Sequence, residues 1–276
     1  MLYVLQFYQM TIFHALILGI VEGITEFLPV SSTAHLIITS KFLEIPQNQF
    51  NSFFEVFIQS GAILAVVVLY WKLFINRKSL IINLFISFIP TAIVGFIFYP
   101  IIKTYLFNSM TIIIGSLFTV GILFMVLELY ISKINRSGWK WLHNSLKLCK
   151  SVGQMGYYDA FIIGLVQATA IIPGVSRAGA VIIAMLLLRY KRKDAAIYSF
   201  LLAVPTILTA SLFDLIKTDI TSFSLNNYLL IIIGFLTSFI TAYIVIKWFI
   251  NYLQKNTLVS FGVYRIILAV LLTIFI

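Results

Sequence analysis

Apolar residues fill six long stretches of this chain, at about 52–74, 79–99, 110–132, 194–216, 227–250 and 257–276. A helix rises about 1.5 Å per residue and a bilayer core is about 30 Å thick, so each stretch suits a membrane span. Two more stretches, 11–43 and 157–190, are apolar at both ends and polar in the middle. Their interruptions read LPVSSTAH (Leu28 to His35) and IPGVSRAG (Ile172 to Gly179). A proline in a helical pattern removes a backbone hydrogen bond and tends to end the helix, and a serine or threonine after it suits the next N-cap. Each interrupted stretch therefore predicts helix, break, helix. At membrane depth such a break is tolerated only where protein or a wet cavity satisfies its backbone. The pattern predicts an all-α integral membrane protein of six transmembrane helices and two re-entrant helical hairpins.

The basic residues test that arrangement. If each hairpin returns to the side it enters from, the lysines and arginines of 72–78, 133–150 and 189–193, with Lys247 and Lys255, share one side, fourteen in all. Lys41, Lys103 and Lys217 share the other, while Arg177 and Arg265 fall within hydrophobic segments. Had either hairpin crossed the membrane, this bias would be scrambled. The positive-inside rule thus places the fourteen in the cytoplasm, with the first hairpin entering from outside and the second from inside.

An internal repeat agrees. GIVEGITEFLPVSSTAH from Gly19 is similar to GLVQATAIIPGVSRAGA from Gly164, which sets Glu22 against Gln167 and Pro29 against Pro173. FEVFIQSGAIL from Phe54 is similar to YSFLLAVPTIL from Tyr198. The expected organisation is one polytopic domain, with repeat halves at about 11–132 and 157–276 joined by a cytoplasmic loop, 133–156. Inverted repeats with broken helices place a site near the bilayer midplane, where half-helix N-termini meet.

Composition narrows the class. With 61% hydrophobic and 10% charged residues and a mean hydropathy of +1.05, the chain falls outside the soluble range. The net charge of +10 belongs to loops, not to a nucleic-acid-binding domain. One cysteine, Cys149, excludes a disulfide framework and a cysteine metal cage. No Lys or Arg precedes Lys41, so the start lacks the charged region of a signal peptide, and the first apolar segment is expected to stay in the mature protein.

The candidate chemistry lies in the two breaks. Glu22 and Glu26 are four apart and share a helix face. Two carboxylates there ask for a wet cavity, a divalent cation or a basic partner, unless they snorkel to water. His35 follows Ser31, Ser32 and Thr33 closely enough for a Ser–His pairing, the alternative being a helix-capping run with an incidental histidine. Arg177, next to Ser176, needs an anion, either Glu22 and Glu26 or a phosphate. A half-helix starting near Ala178, and another after Ser32 and Thr33, would aim free N–H groups at the same point. His14 reads as packing or lining, Glu55 and Gln59 as supporting polar residues, and Glu128, Asp159 and Asp214 as reaching water near span ends. Arg265 has no role on sequence grounds. No phosphate-binding glycine loop, dinucleotide fingerprint or HExxH motif is present.

Glu-xxx-Glu followed by PVSSTxH, then PGxSR, resembles the bacitracin-resistance family of undecaprenyl-diphosphate phosphatases. The similarity extends over FEVFIQSGAILAVVV and over FLLAVP from Phe200. The family tends to read PGxSRSxxT, where this chain has Ala178 and Val181, and glycine before the histidine, where it has Ala34. The resemblance implies hydrolysis of a polyprenyl diphosphate to the monophosphate and inorganic phosphate, which recycles the carrier lipid of cell-wall synthesis and gives bacitracin resistance. It also implies a divalent cation, Mg2+ or Ca2+, at Glu22 and Glu26, and a site open to the extracytoplasmic face of the cell membrane. Catalysis would fall to Glu22, Glu26, Ser32, His35 and Arg177, and substrate binding to Ser31, Thr33, Gly174, Ser176 and Arg177. Ser32, His35 or a metal-bound water would each serve as nucleophile. The lipid is the expected partner, nucleic acid is not, and a homodimer is a candidate assembly. The competing class is a transporter or flippase for an anionic or lipid-phosphate substrate, which the same topology suits.

Overall fold

The computed structural model describes residues 10–101, 105–106, 109–136 and 148–275. Lys103, Lys140 and Lys147 of the charge argument, and much of the expected loop 133–156, lie outside the described residues. Among those described there are ten α-helices and no strand. The first interrupted stretch forms α1 (Ile12–Thr25) and α2 (Ser32–Phe42), followed by α3 (Gln49–Asn76), α4 (Lys78–Ile101) and α5 (Met110–Arg136). The second forms α6 (Tyr157–Ala168), a 3-10 turn at Thr169–Ile171 and α7 (Arg177–Leu187), followed by α8 (Arg192–Lys217), α9 (Leu225–Lys255) and α10 (Val259–Phe275). Both breaks therefore occur where the prolines were read. Five helices, α3, α4, α5, α8 and α9, are long and apolar enough to span a membrane; the sixth expected span, α10, is a 17-residue apolar helix. The chain is an all-α integral membrane protein.

Each hairpin begins and ends at one end of the bundle, and the two open at opposite ends. Met10 before α1 and Ile45 after α2 pack in one cluster with Phe53 of α3, with Leu215 near the end of α8 and with Phe223 between α8 and α9. At the other end, Asn83 near the start of α4 donates from Nδ2 to the Met155 carbonyl before α6 (3.0 Å), and the Lys191 amide after α7 donates to the Lys150 carbonyl (3.1 Å). Neighbour relations repeat accordingly. α1 packs on α9 as α6 packs on α4, α3 packs on α9 as α8 packs on α4, and α3 meets α8 as α5 meets α10.

Close contact is bought here by small side chains, since lipid offers no hydrophobic drive for helix association. A Cβ on Gly19 would sit 2.8 Å from the Gly234 carbonyl oxygen of α9. Gly164, its counterpart on α6, presses against the Ser87 carbonyl of α4. Some polar groups inside the bundle pair between helices: the Ser87 hydroxyl donates to the Ala160 carbonyl (2.6 Å), and Gln167 Nε2 donates to Thr91 Oγ1 (2.7 Å). Large apolar side chains such as Phe13, Phe96, Leu129 and Ile244 face outward.

The span-end acids do more than reach water. Glu128 is buried and takes both Nη groups of Arg192, and its Oε1 also accepts the Leu258 amide (3.0 Å), so it joins α5, α8 and α10. Asp159 accepts from Lys150 Nζ (3.0 Å) and the Tyr190 hydroxyl (2.6 Å), which fastens the segment before α6 to the end of α7. Asp194 feels the charges of Lys191, Lys193 and Arg77, so three of the basic positions grouped by sequence do gather at this end.

Cys149 lies exposed at that same end, its amide bonded to the Arg189 carbonyl (3.1 Å). A membrane-impermeant thiol reagent should label it only after the membrane is opened. Labelling in intact cells would reverse the orientation drawn from the charge bias.

Candidate active site

The two breaks enter their second helices by the same strained turn. Ser31 has φ 76° and Ser176 has φ 73°, a region that L-residues rarely occupy. Each is an N-cap: Ser31 Oγ accepts from the Ala34 amide (3.4 Å) and Ser176 Oγ from the Gly179 amide (3.2 Å). The expected substrate-binding hydroxyls of Ser31 and Ser176 are thus engaged in capping. The serine carbonyls take the next amides, His35 at 3.2 Å and Ala180 at 3.0 Å. The preceding amides, of Ser32 and Thr33 in α2 and of Arg177 and Ala178 in α7, are the ones a helix start leaves pointing outward. The second half-helix begins at Arg177, one residue ahead of the position read from sequence.

Arg177 crosses from the second break to the first. Its Nη2 donates to Glu26 Oε1 (2.8 Å) and its Nη1 to the Ser199 carbonyl of α8 (2.8 Å). Of the two anions open to it on sequence grounds, the carboxylate is therefore its partner here. Glu26 closes α1 as its C-cap, and its Oε2 accepts the Ser32 hydroxyl at 2.5 Å. Ser32 accordingly pairs with Glu26 and not with His35. Glu22, one turn earlier, is fully buried, and its carboxylate oxygens find no donor group among the described residues; the side chain within hydrogen-bond reach is the Glu26 carboxyl. Arg177 Nε and the Ser199 hydroxyl are likewise buried and unpartnered. Glu26, Arg177 and Glu55 all act on Glu22 through their charges. Ser32, Thr33 and His35 remain half-buried, so the site has a deep carboxylate–guanidinium floor and a more open rim.

His35 stands at that rim. Its Nδ1 is 2.7 Å from the Ser31 carbonyl and its Nε2 is 2.7 Å from the Tyr264 hydroxyl of α10. His14 serves instead in the capping box of α1 with Thr11. Glu55 accepts the Ser40 hydroxyl at 2.6 Å, a supporting position near the site. Ala178 and Val181, where the family pattern has polar residues, are both fully buried, and Val181 belongs to the main core.

Arg265 holds the breaks in place. It is fully buried. Its Nη1 donates to the Pro29 carbonyl of the first break (3.1 Å), and its Nη2 donates to the Gly174 carbonyl of the second. The Ser116 and Leu117 carbonyls of α5 take further bonds at 3.3 and 3.4 Å, and the guanidinium lies over the Phe124 ring, 5.6 Å from its centroid. Gly174, expected at the substrate, is required by the backbone: its φ is 93°, and a Cβ there would meet the Ile113 carbonyl oxygen at 2.8 Å. Arg265 carries no role that its neighbours in sequence reveal, although an arginine inside a short apolar helix is itself a signal. Nothing marked Tyr264 or Ser199 in the sequence.

The architecture and the site define a polytopic membrane protein with a buried arginine–carboxylate centre where two broken helices meet. The chain belongs to the family described as bacitracin resistance protein BacA, whose model matches residues 15–271. It is similar to the undecaprenyl-diphosphatase of Aquifex aeolicus (strain VF5), at 43% identity over 266 residues, 96% of this chain and 99% of that one. Similar too is the undecaprenyl-diphosphatase of Persephonella marina (strain DSM 14350 / EX-H1), at 45% over 271 residues, 97% of this chain and 100% of that one. The undecaprenyl-diphosphatase of Wolinella succinogenes is 43% identical over 263 residues, 95% and 97% of the two chains.

Removing Arg265 should cost stability before anything else. Each buried carbonyl left unpaired costs about 1–3 kcal/mol. Arg265→Met, which strands Pro29 and Gly174, should lower the thermal midpoint in detergent substantially, and Arg265→Lys, whose single ammonium cannot span both breaks, should fall between. A wild-type midpoint for Arg265→Met would show that the breaks hold without it.

Proposed function

We propose that this chain hydrolyses undecaprenyl diphosphate to the monophosphate and inorganic phosphate, which recycles the carrier lipid for cell-wall synthesis and confers resistance to bacitracin. The observation that carries the reading is the meeting of Arg177, Glu26 and Ser32 across the two breaks, beside the unpartnered Glu22. Family membership and the similarity to undecaprenyl-diphosphatases support the substrate and the reaction.

The unpaired groups are of two kinds. Arg177 Nε and the Ser199 hydroxyl are donors that ask for acceptor oxygens, such as those of a diphosphate, and Glu22 asks for a cation. Among the described residues no three His, Cys, Asp or Glu side chains form a metal cluster. Two carboxylates still fit a magnesium- or calcium-type ion whose other ligands are phosphate oxygens and water. Glu22 and Glu26 would hold it, and it would supply charge neutralisation at the diphosphate.

The chain's own groups account for the rest. The outward amides of Ser32, Thr33, Arg177 and Ala178, at two helix starts, favour an anion between them. Arg177 would turn from Glu26 to the phosphoryl oxygens and stabilise the charge that builds there. That turn would free Glu26 Oε1, while Oε2, which already accepts the Ser32 hydroxyl, would take its proton. Ser32 Oγ would attack the terminal phosphorus, the bond to the lipid monophosphate would break, and water would later release inorganic phosphate from the serine. His35, at the rim, would move protons for the leaving group or the water. By the charge bias this site opens to the extracytoplasmic face.

Phosphate release from undecaprenyl diphosphate in detergent, with and without a chelator, tests the reading directly. A phosphatase works there and should be suppressed by the chelator, whereas a carrier needs a sealed membrane with two sides. Glu26→Gln should lose most turnover while folding and inserting normally. Arg177→Lys keeps the positive charge but not the planar fork, and should lower kcat by about a hundredfold or more, the size of losing one transition-state donor. Turnover within a few-fold of wild type for Arg177→Lys would end its role at the phosphoryl group.

A further inference from the structure

The pairing of His35 with Tyr264 has a chemistry of its own. The Ser31 carbonyl can only accept, so the His35 nitrogen facing it, Nδ1 at 2.7 Å, carries a hydrogen. In the neutral ring the lone pair is then on Nε2, and Nε2 faces the Tyr264 hydroxyl at 2.7 Å. A phenol can donate to that lone pair, and it can equally accept from an imidazolium. It therefore stays bonded to His35 in either protonation state. The two rings stack with centroids 5.7 Å apart and planes 11° from parallel, which fixes the plane of the imidazole as well as its edge. Tyr264 is itself held, because the next residue along α10 is the anchored Arg265, which also acts on His35 through its charge. The Ser32 hydroxyl is already given to Glu26, so the basic edge of His35 has no work there. Tyr264 is 44% exposed, while Arg265 beside it is wholly buried.

We propose that Tyr264 is the positioning residue of His35 and the group through which that imidazole exchanges its proton. This rests on the reading of His35 as a proton carrier in the phosphatase reaction. The relay balances: the imidazolium Nε2–H passes its proton to the phenol oxygen as the phenol O–H passes its own to the departing lipid-monophosphate oxygen, and the water that later attacks the phosphoserine supplies the proton for the return. The reverse transfer recharges the ring, and Nδ1 keeps its hydrogen on the Ser31 carbonyl throughout.

Two measurements on the full chain in detergent test it. The chain has three histidines, so 15N-labelled imidazole signals can be assigned by substitution. Wild type should show His35 as one tautomer, Nδ1 protonated and Nε2 hydrogen-bonded. Tyr264→Phe, which keeps the ring and its stacking, should move the Nε2 signal to that of an unbonded ring nitrogen. It should also lower kcat for phosphate release about tenfold or more at a KM within about twofold, short of the loss typical of a direct acid–base group. An Nε2 signal unchanged in Tyr264→Phe overturns the positioning. A moved signal with wild-type kcat overturns the proton route and His35's share in the reaction. The phosphatase reading itself stands or falls separately, on phosphate release by the wild-type chain.

Discussion

A helix broken at membrane depth strands backbone carbonyls where no water can reach them, and that deficit governs this structure. One guanidinium answers it. Arg265 brings its donors to Pro29 in one break, Gly174 in the other and two carbonyls of α5, so a single side chain sets the distance between the two breaks. Because it bonds main chain, its hold does not depend on which side chains the breaks carry. It has no carboxylate partner among these contacts, and the carbonyl dipoles and the face of Phe124 stand in for one. The geometry of the reacting groups follows from this arrangement. Arg177 meets Glu26 because the two breaks are held side by side, and Glu26 in turn meets Ser32 across the first break.

The two halves share a frame but not their chemistry. Glu22 and Gln167 occupy corresponding places, the first left without a partner and the second giving its amide to Thr91. His35 corresponds to Ala180 in the same count, and Ser32 to Arg177. One half thus contributes the acids and the hydroxyl, the other the fixed cation. A site built at the meeting of two such halves needs each once, so at the site the halves share a backbone turn and differ in the side chains it carries.

The breaks, the spans and the hairpins were legible because proline and polar residues inside apolar runs conflict with the helical period, and such conflicts are local. Glu22 and Glu26 were legible through their spacing, and Arg177 through its position at membrane depth. The partners of Arg265 were not, since carbonyl groups carry no sequence identity and lie as far as 236 positions away. The His35–Tyr264 pair spans 229 positions, and nothing distinguishes Tyr264 from the other tyrosines of the chain. Ser32 was open to His35 by proximity in sequence. A residue at the first position of a helix, however, points back toward the preceding segment, and there it finds Glu26. Glu128 and Asp159 were read as solvated for the same reason: their partners, Arg192 and Tyr190, come from elements that only the tertiary packing brings near.

The twin serine turns carry a further meaning. Ser31 and Ser176 both hold a backbone angle that costs of the order of 1–3 kcal/mol for a residue with a side chain. In the first half the turn aims a carbonyl at an imidazole, and in the second the same turn has only Ala180 at that place. The orientation of His35 thus rests on a carbonyl that the same turn presents in both halves, whether or not an imidazole stands beside it. The setting of this imidazole is borrowed from scaffolding, and a scaffold that bends twice alike has a second such address, vacant of any imidazole, in its other half.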